Sequence, residues 1–223
     1  EQYPVVFEYA GQDTALVQLA VNDGKPIDNE LKYGSVSGLK TDENGDGLGG
    51  ALIGLFKTND GEFTTENAIL TTTSGDDGSF SFANIPYGTW YIREISQPTG
   101  YVLNDTVYDV TIAENEQVVE ISIENRLIRG NITLTKMDAD YPENKLTGAE
   151  FEVYKDMDGN GKLDDGDELL GKLTETDTGI YTMNDLLYGQ YLVKETKAPD
   201  GFVLDTGVYS VNIDTDGKTY SVE

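Results

Sequence analysis

Trp90-Tyr91-Ile92-Arg93-Glu94-Ile95-Ser96-Gln97-Pro98-Thr99-Gly100-Tyr101 returns later in the chain as Tyr191-Leu192-Val193-Lys194-Glu195-Thr196-Lys197-Ala198-Pro199-Asp200-Gly201-Phe202. Alternate side chains of a strand face the same way, so Trp90, Ile92 and Glu94 share one face, as do Tyr191, Val193 and Glu195. Each copy therefore aims a carboxylate where a core belongs. A buried, unpaired carboxylate is costly and needs a partner or a proton.

The echo extends in both directions. Leu39-Lys40-Thr41-Asp42 answers Thr135-Lys136-Met137-Asp138, Gly50-Ala51 answers Gly148-Ala149, and Tyr87-Gly88 answers Tyr188-Gly189. Tandem copies of one unit imply modules in a row. In the first copy, short apolar runs fall at residues 35–40, 51–57, 68–73, 79–82, 89–95, 106–112 and 117–125, separated by Gly, Asn and Asp clusters and without helical periodicity. Seven such strands predict an all-β sandwich of two antiparallel sheets, Ig-like in plan. The expected division is a first sandwich over 34–128 and a second over 129–223 that lacks its final residues. The short connection Arg126-Leu127-Ile128-Arg129 predicts modules arranged end to end. Residues 1–33 read as a hairpin (Val5-Val6-Phe7 and Ala15 to Val21) plus a linker. They are either the tail of a preceding module or an addition to the first sandwich.

With 41 acidic against 15 basic residues, the formal charge is -26. That excludes nucleic acid and anionic membranes as partners, since both call for Lys/Arg-rich surface. The 14 Tyr and 7 Phe argue for a folded chain despite the charge. There is no His, which removes Ser-His-Asp and Cys-His catalysis, and no apolar run approaches the roughly 20 residues of a membrane span. There is no Cys either, which means either an intracellular protein or an exported one with a staple other than a disulfide.

Strand phase suggests the staple. Lys40 continues the row Val36, Gly38; Glu94 continues Trp90, Ile92; Asn125 continues Ile121, Ile123. Three reactive groups thus extend inward-facing rows from three strands. Burial favours a neutral, nucleophilic amine over an ammonium and a protonated acid over a carboxylate. Such an amine could attack the Asn carboxamide while Glu94 polarises the carbonyl and shuttles protons to departing ammonia. Phase alone also allows Lys40 to snorkel out in an ion pair with Glu94 while Asn125 caps a turn.

The Lys-Thr-Asp and Lys-Met-Asp starts, the Gly-Ala second strands and the Glu-x-x-x-Pro-x-Gly-aromatic boxes resemble Cna-B type (SpaA-like, prealbumin-like) modules of Gram-positive surface proteins and pilins. The resemblance implies prealbumin-like sandwiches and an intramolecular isopeptide bond between Lys40 and Asn125 assisted by Glu94. In the second module, Lys136 and Glu195 are the equivalents. Tyr220 and Val222 are taken to match Ile121 and Ile123, which puts the crosslink partner of Lys136 one residue beyond Glu223. Asn22, out of step with the face formed by Val17, Leu19 and Val21, is a poor substitute. No cofactor is required, and the only catalysis expected is a self-made, single-turnover bond. The implied role is a stalk or shaft module of a secreted, cell-wall-anchored pilin-like protein or adhesin, with neighbouring modules as partners and the anchor signal outside this chain. The alternative is an adhesin module that binds host matrix protein or glycan.

One loop carries a separate signal. Asp156, Asp158, Asn160, Asp164 and Asp167 stand at positions one, three, five, nine and twelve of a calcium-loop spacing, with Gly161 at six and Lys162 at seven, where a backbone carbonyl serves. Hard oxygens suit Ca2+, and an acidic solvated turn fits the same residues. In the first module, Asp42, Asn44 and Asp46 begin alike but reach Ile53 at position twelve, which reads as a turn.

Overall fold

A computed structural model describes residues 30–222. The apolar runs predicted as a hairpin, and Asn22, lie outside them. The first module contains β1 (Tyr33–Asp42), β2 (Leu52–Phe56), β3 (Leu70–Thr73), β4 (Ser79–Pro86), β5 (Gly88–Ser96), β6 (Tyr108–Ile112) and β7 (Gln117–Asn125). All seven coincide with the apolar runs of the sequence. The second contains β8 (Arg129–Thr135), β9 (Glu150–Lys155), β10 (Glu168–Lys172), β11 (Thr174–Asp177), β12 (Ile180–Leu187), β13 (Gly189–Lys197), β14 (Val208–Ile213) and β15 (Thr219–Val222).

Each module packs two sheets face to face: β4-β1-β7 on β3-β2-β5-β6, then β11-β12-β8-β15 on β10-β9-β13-β14. The extra strand of the second module comes from the chain crossing between its sheets at buried Leu173, whose N–H donates to Phe151 O at 2.9 Å. One expectation is corrected. The sheets are not purely antiparallel, because β1 pairs with β7, and β8 with β15, in parallel. Parallel neighbours need a long crossover rather than a hairpin, and here nearly the whole module is that crossover. The first and last strands of a module therefore lie side by side and point the same way.

Two separate cores follow from the alternation. Val36, Ile53, Leu55, Phe80, Phe82, Trp90, Ile92, Val110 and Ile123 fill the first. Ile132, Phe151, Val153, Tyr181, Tyr191, Val193 and Ile213 fill the second. The echoed strands β5 and β13 are anchored alike. Gly88 and Gly189 take φ of 128° and 144°, a region that a Cβ disfavours, and so form the turn from the preceding strand. The turn lets Trp90 Nε1–H donate to Pro86 O at 2.8 Å and Tyr191 O–H donate to Leu187 O at 2.6 Å. Both large rings are thus buried with their polar atom satisfied.

Candidate functional site: a buried amine, carboxyl and carboxamide

Lys40, Glu94 and Asn125 are all buried, at 0, 1 and 1% exposure. Each gets there because it extends an apolar row: Lys40 at the end of β1, Glu94 on β5 past Trp90 and Ile92, Asn125 as the last residue of β7. The parallel register sets Lys40 against Ile123 and Asp42 against Asn125. Lys40 Nζ donates to Ile123 O at 3.1 Å and more weakly to Thr41 O at 3.4 Å. Asn125 Nδ2 donates to Glu94 Oε1 at 2.8 Å, and the other oxygen, Oε2, accepts the Asn104 N–H at 2.8 Å. Asn125 Oδ1 is buried without a hydrogen-bond partner among the described residues.

Burial pulls the Lys40 amine below the ordinary lysine value, against the opposing attraction of Glu94 and Glu124. Glu94 meets the carboxamide on its nitrogen, the atom that would leave, rather than on the oxygen that sequence reasoning had it polarise. The unpartnered Oδ1 is an acceptor whose isolation costs free energy, which an arrangement kept only for stability would avoid.

The second module repeats two of the three groups. Lys136 Nζ lies 2.9 Å from Glu195 Oε1, with the glutamate side chain 1% and the lysine side chain 19% exposed. The contact compensates charge without the alignment of a hydrogen bond, since Oε1 lacks one among the described residues. Oε2 accepts Asp205 N–H at 2.7 Å, as Glu94 accepts from Asn104. The sequence-based alignment of the last strand is corrected here. Tyr220 pairs with Ile132 and Val222 with Leu134, so they match Val119 and Ile121, which face Val36 and Gly38. Continued in the same register, the position matching Asn125 would fall opposite Asp138, two residues further along than strand phase placed it. Alternation has period two, so a slip of two leaves every side chain on the same face and is invisible to phase.

Asn104 and Asp205 are residues that sequence reasoning missed. Both follow their glutamate by ten positions and both are Asx residues, which was the available signal. Asn104 Nδ2 also donates to Glu124 O at 2.8 Å, tying this loop to β7, and to Tyr108 Oη at 3.3 Å. In the second module the direction reverses: Tyr209 O–H donates to Asp205, holding that carboxyl below the usual range and raising the phenol.

In the acidic loop, carboxylate oxygens of Asp156, Asp158 and Asp167 lie within 4.8 Å of one another. Asp156 is buried and accepts Gly159 N–H at 2.7 Å and Gly161 N–H at 2.8 Å. Burial raises its pKa, but these backbone donors outweigh that and leave it lowered. Asp167 accepts from Met157 N–H and Asp164 N–H, and Asn160 Nδ2 bridges Asp158 and Asp164. Lys162 enters through its backbone, donating N–H to Asn160 Oδ1 at 2.7 Å. The donors are hard oxygens gathered at one point, a chemistry that fits Ca2+.

The chain belongs to the SpaA prealbumin-like fold domain family, whose model matches twice, over residues 34–127 and 130–223. Among solved structures it is similar to the Bacillus anthracis TIE protein, at 26% identity and a TM-score of 0.69, over 85% of this chain and 33% of that one. This chain thus spans about a third of that relative's length. A streptococcal ancillary pilin matches at 24% identity over 99% of this chain and 70% of its own, with a TM-score of 0.42. BcpA, the major pilin subunit of Bacillus cereus, matches at 15% identity over 86% of this chain and 99% of its own, with a TM-score of 0.36. The last two superpose loosely, and the TIE protein carries the structural comparison. No curated protein matches the chain. Among the described residues no helix is long and apolar enough to cross a membrane.

Proposed function

We propose that the chain is a pair of load-bearing shaft modules of an extracellular, cell-wall-anchored protein of the pilin or adhesin type, with Lys40 and Asn125 joined by a self-made isopeptide bond. The observation that carries this reading is the burial of an amine, a carboxyl and a carboxamide where the first and last strands run side by side. In the reaction the Lys40 nitrogen attacks Asn125 Cγ, a C–N bond forms, and the bond to Nδ2 breaks. Glu94 takes one proton from the amine and gives one to the leaving nitrogen, so ammonia departs and Glu94 ends as it began. The bond would tie the two ends of the module directly, so that tension entering at one end passes to the other without peeling the sheet. Intact mass spectrometry tests it. A mass one ammonia below that of the sequence supports the bond, and the full mass rejects it.

The same reading assigns Ca2+ to the loop of Asp156, Asp158, Asn160, Lys162, Asp164 and Asp167, as a brace for the second module. The convergence of three carboxylates supports this assignment.

A further inference from the structure

One loop residue, Asn104, touches both the buried carboxyl and the strand that carries the carboxamide. Its backbone N–H donates to Glu94 Oε2 at 2.8 Å, and its side-chain Nδ2 donates at 2.8 Å to the carbonyl of Glu124, the residue just before Asn125. The rest of the side chain is engaged too: Oδ1 accepts Thr106 N–H at 2.9 Å, and Nδ2 has a second acceptor in Tyr108 Oη at 3.3 Å. A primary amide has two N–H hydrogens and one carbonyl oxygen, so turning this one over would set its oxygen against Glu124 O. The orientation, and with it the tie to β7, is fixed.

These contacts divide the two oxygens of Glu94. Oε2 is taken by the backbone donor, which leaves Oε1, 2.8 Å from Asn125 Nδ2, to carry a proton. The last torsion of a glutamate is soft, so contacts from outside have to keep that oxygen toward the nitrogen. Transfer then has one short route. The proton given up by Lys40 Nζ goes onto Oε1 and on to Asn125 Nδ2, the bond from Nζ to Cγ forms, the bond from Cγ to Nδ2 breaks, and ammonia leaves. The loop also borders a hollow of about 270 Å³ whose walls include Asn104, Glu124 and Asn125. The bond from Asn104 to Glu124 O ties two of those walls together. A looser loop would admit water beside the carboxyl, and water favours the ammonium form of Lys40, which has no lone pair to attack with.

The second module separates the two contacts. Asp205 N–H donates to Glu195 Oε2 at 2.7 Å and Asp205 Oδ1 accepts Gly207 N–H at 2.7 Å, the same pin and the same turn as at Asn104. Its other oxygen accepts from Tyr209 O–H, four residues on, as Tyr108 is four on from Asn104. A carboxylate has no hydrogen to give a carbonyl, so Asp205 pins its glutamate without the means to tie a last strand.

We propose that Asn104 is a positioning residue for the Lys40–Asn125 bond: its side chain ties the loop whose N–H aims Glu94 Oε1 at the leaving nitrogen to the strand that presents that nitrogen. This rests on the crosslink reading and adds to it a residue outside the amine, the acid and the amide. Asn104 touches neither Lys40 Nζ nor the carboxamide, so it sets the rate of bond formation and not its chemistry.

Asn104→Asp gives the first module the residue of the second. The turn to Thr106 and the backbone pin remain, Tyr108 O–H can donate to the new carboxylate as Tyr209 does, and the tie to Glu124 O is lost. Full chains are made in a short cell-free synthesis, chased, quenched in denaturant and measured by intact mass, so that the fraction lighter by one ammonia is read against time. N104D and N104A should close about ten- to a hundredfold more slowly than wild type. V110A is the control for lost stability. Its residue is fully buried and pairs with Trp90, so the substitution leaves a core cavity and keeps the loop intact. Measured in the E94Q background, where no bond adds stability, V110A should lower the thermal midpoint more than N104D. With Glu94 present it should still close at close to the wild-type rate. N104D as fast as wild type, V110A slowed as much as N104D, or a midpoint loss in N104D exceeding that of V110A would overturn the role. A wild-type chain that keeps its full mass throughout would reject the bond itself and the role with it, so the two failures read differently.

Discussion

Asn125 donates its side-chain N–H to Glu94 Oε1 at 2.8 Å, and its carbonyl oxygen has no hydrogen-bond partner among the described residues. The carboxyl is therefore placed at the nitrogen that a transamidation expels. Glu94→Gln keeps the shape and the capacity to accept Asn104 N–H, but cannot carry a proton between the two nitrogens. The expected product is a folded chain with the full sequence mass. Closing the long loop from Lys40 to Asn125 is worth about 4 to 5 kcal/mol on chain-entropy arithmetic. The first module of the variant should lose stability of that order, read as a lower thermal midpoint and faster cleavage by protease.

In the second module, Lys136 is the only cation within ion-pair distance of the buried Glu195 among the described residues. Lys136→Met strands that carboxylate. The cost should be about 2 kcal/mol, less than for a fully buried pair because the lysine side chain is partly exposed. Lys136→Met with Glu195→Gln should recover most of it. Urea unfolding of the three chains decides, and a double variant no better than the single one would contradict the pairing.

Gly38 lies beneath the Phe80 ring, where a Cβ would come within 2.1 Å of Cζ. The corresponding pair in the second module is Leu134 opposite Tyr181. Gly38→Ala should cost about 1 to 3 kcal/mol through overpacking, measured by denaturant midpoint. Phe80→Ala in the same chain should relieve the clash, so that the two changes are less than additive.

The junction between the modules should respond to acid. Arg129 holds the Glu43 carboxyl below the ordinary carboxylate value, and Arg126 does the same for Asp216. Groups whose pKa is depressed by pairing contribute fully above the unpaired value, and the contribution fades as pH falls through the lowered one. Small-angle scattering should therefore show the two modules in fixed orientation near neutrality and a broader distribution below about pH 4, the ordinary carboxylate range. High salt at neutral pH should loosen it in the same direction.

If calcium braces the acidic loop, adding it should raise the unfolding midpoint of the second module and a chelator should reverse the gain. Asp156→Asn should remove the response while leaving the first module unchanged. Calorimetry that detects no heat at millimolar calcium would end the assignment.

The strands, the repeat and the inward phase of Lys40, Glu94 and Asn125 were legible in the sequence because alternation is local: each residue's face follows from its neighbours. Sheet partners and register are long-range. That β1 and β7 run parallel, that Asn125 faces Asp42, and that Tyr220 and Val222 match Val119 and Ile121 are set by how the intervening strands pack and turn. A two-residue slip leaves the apolar pattern untouched, so no reading of the pattern could detect it. The Glu43–Arg129 and Arg126–Asp216 pairs were likewise hidden, since their members are far apart in the chain and meet only once both modules have folded. The sequence by itself thus determined which side chains face the core; tertiary structure decided which of them touch, because contact depends on the closure of loops whose ends the local pattern does not constrain.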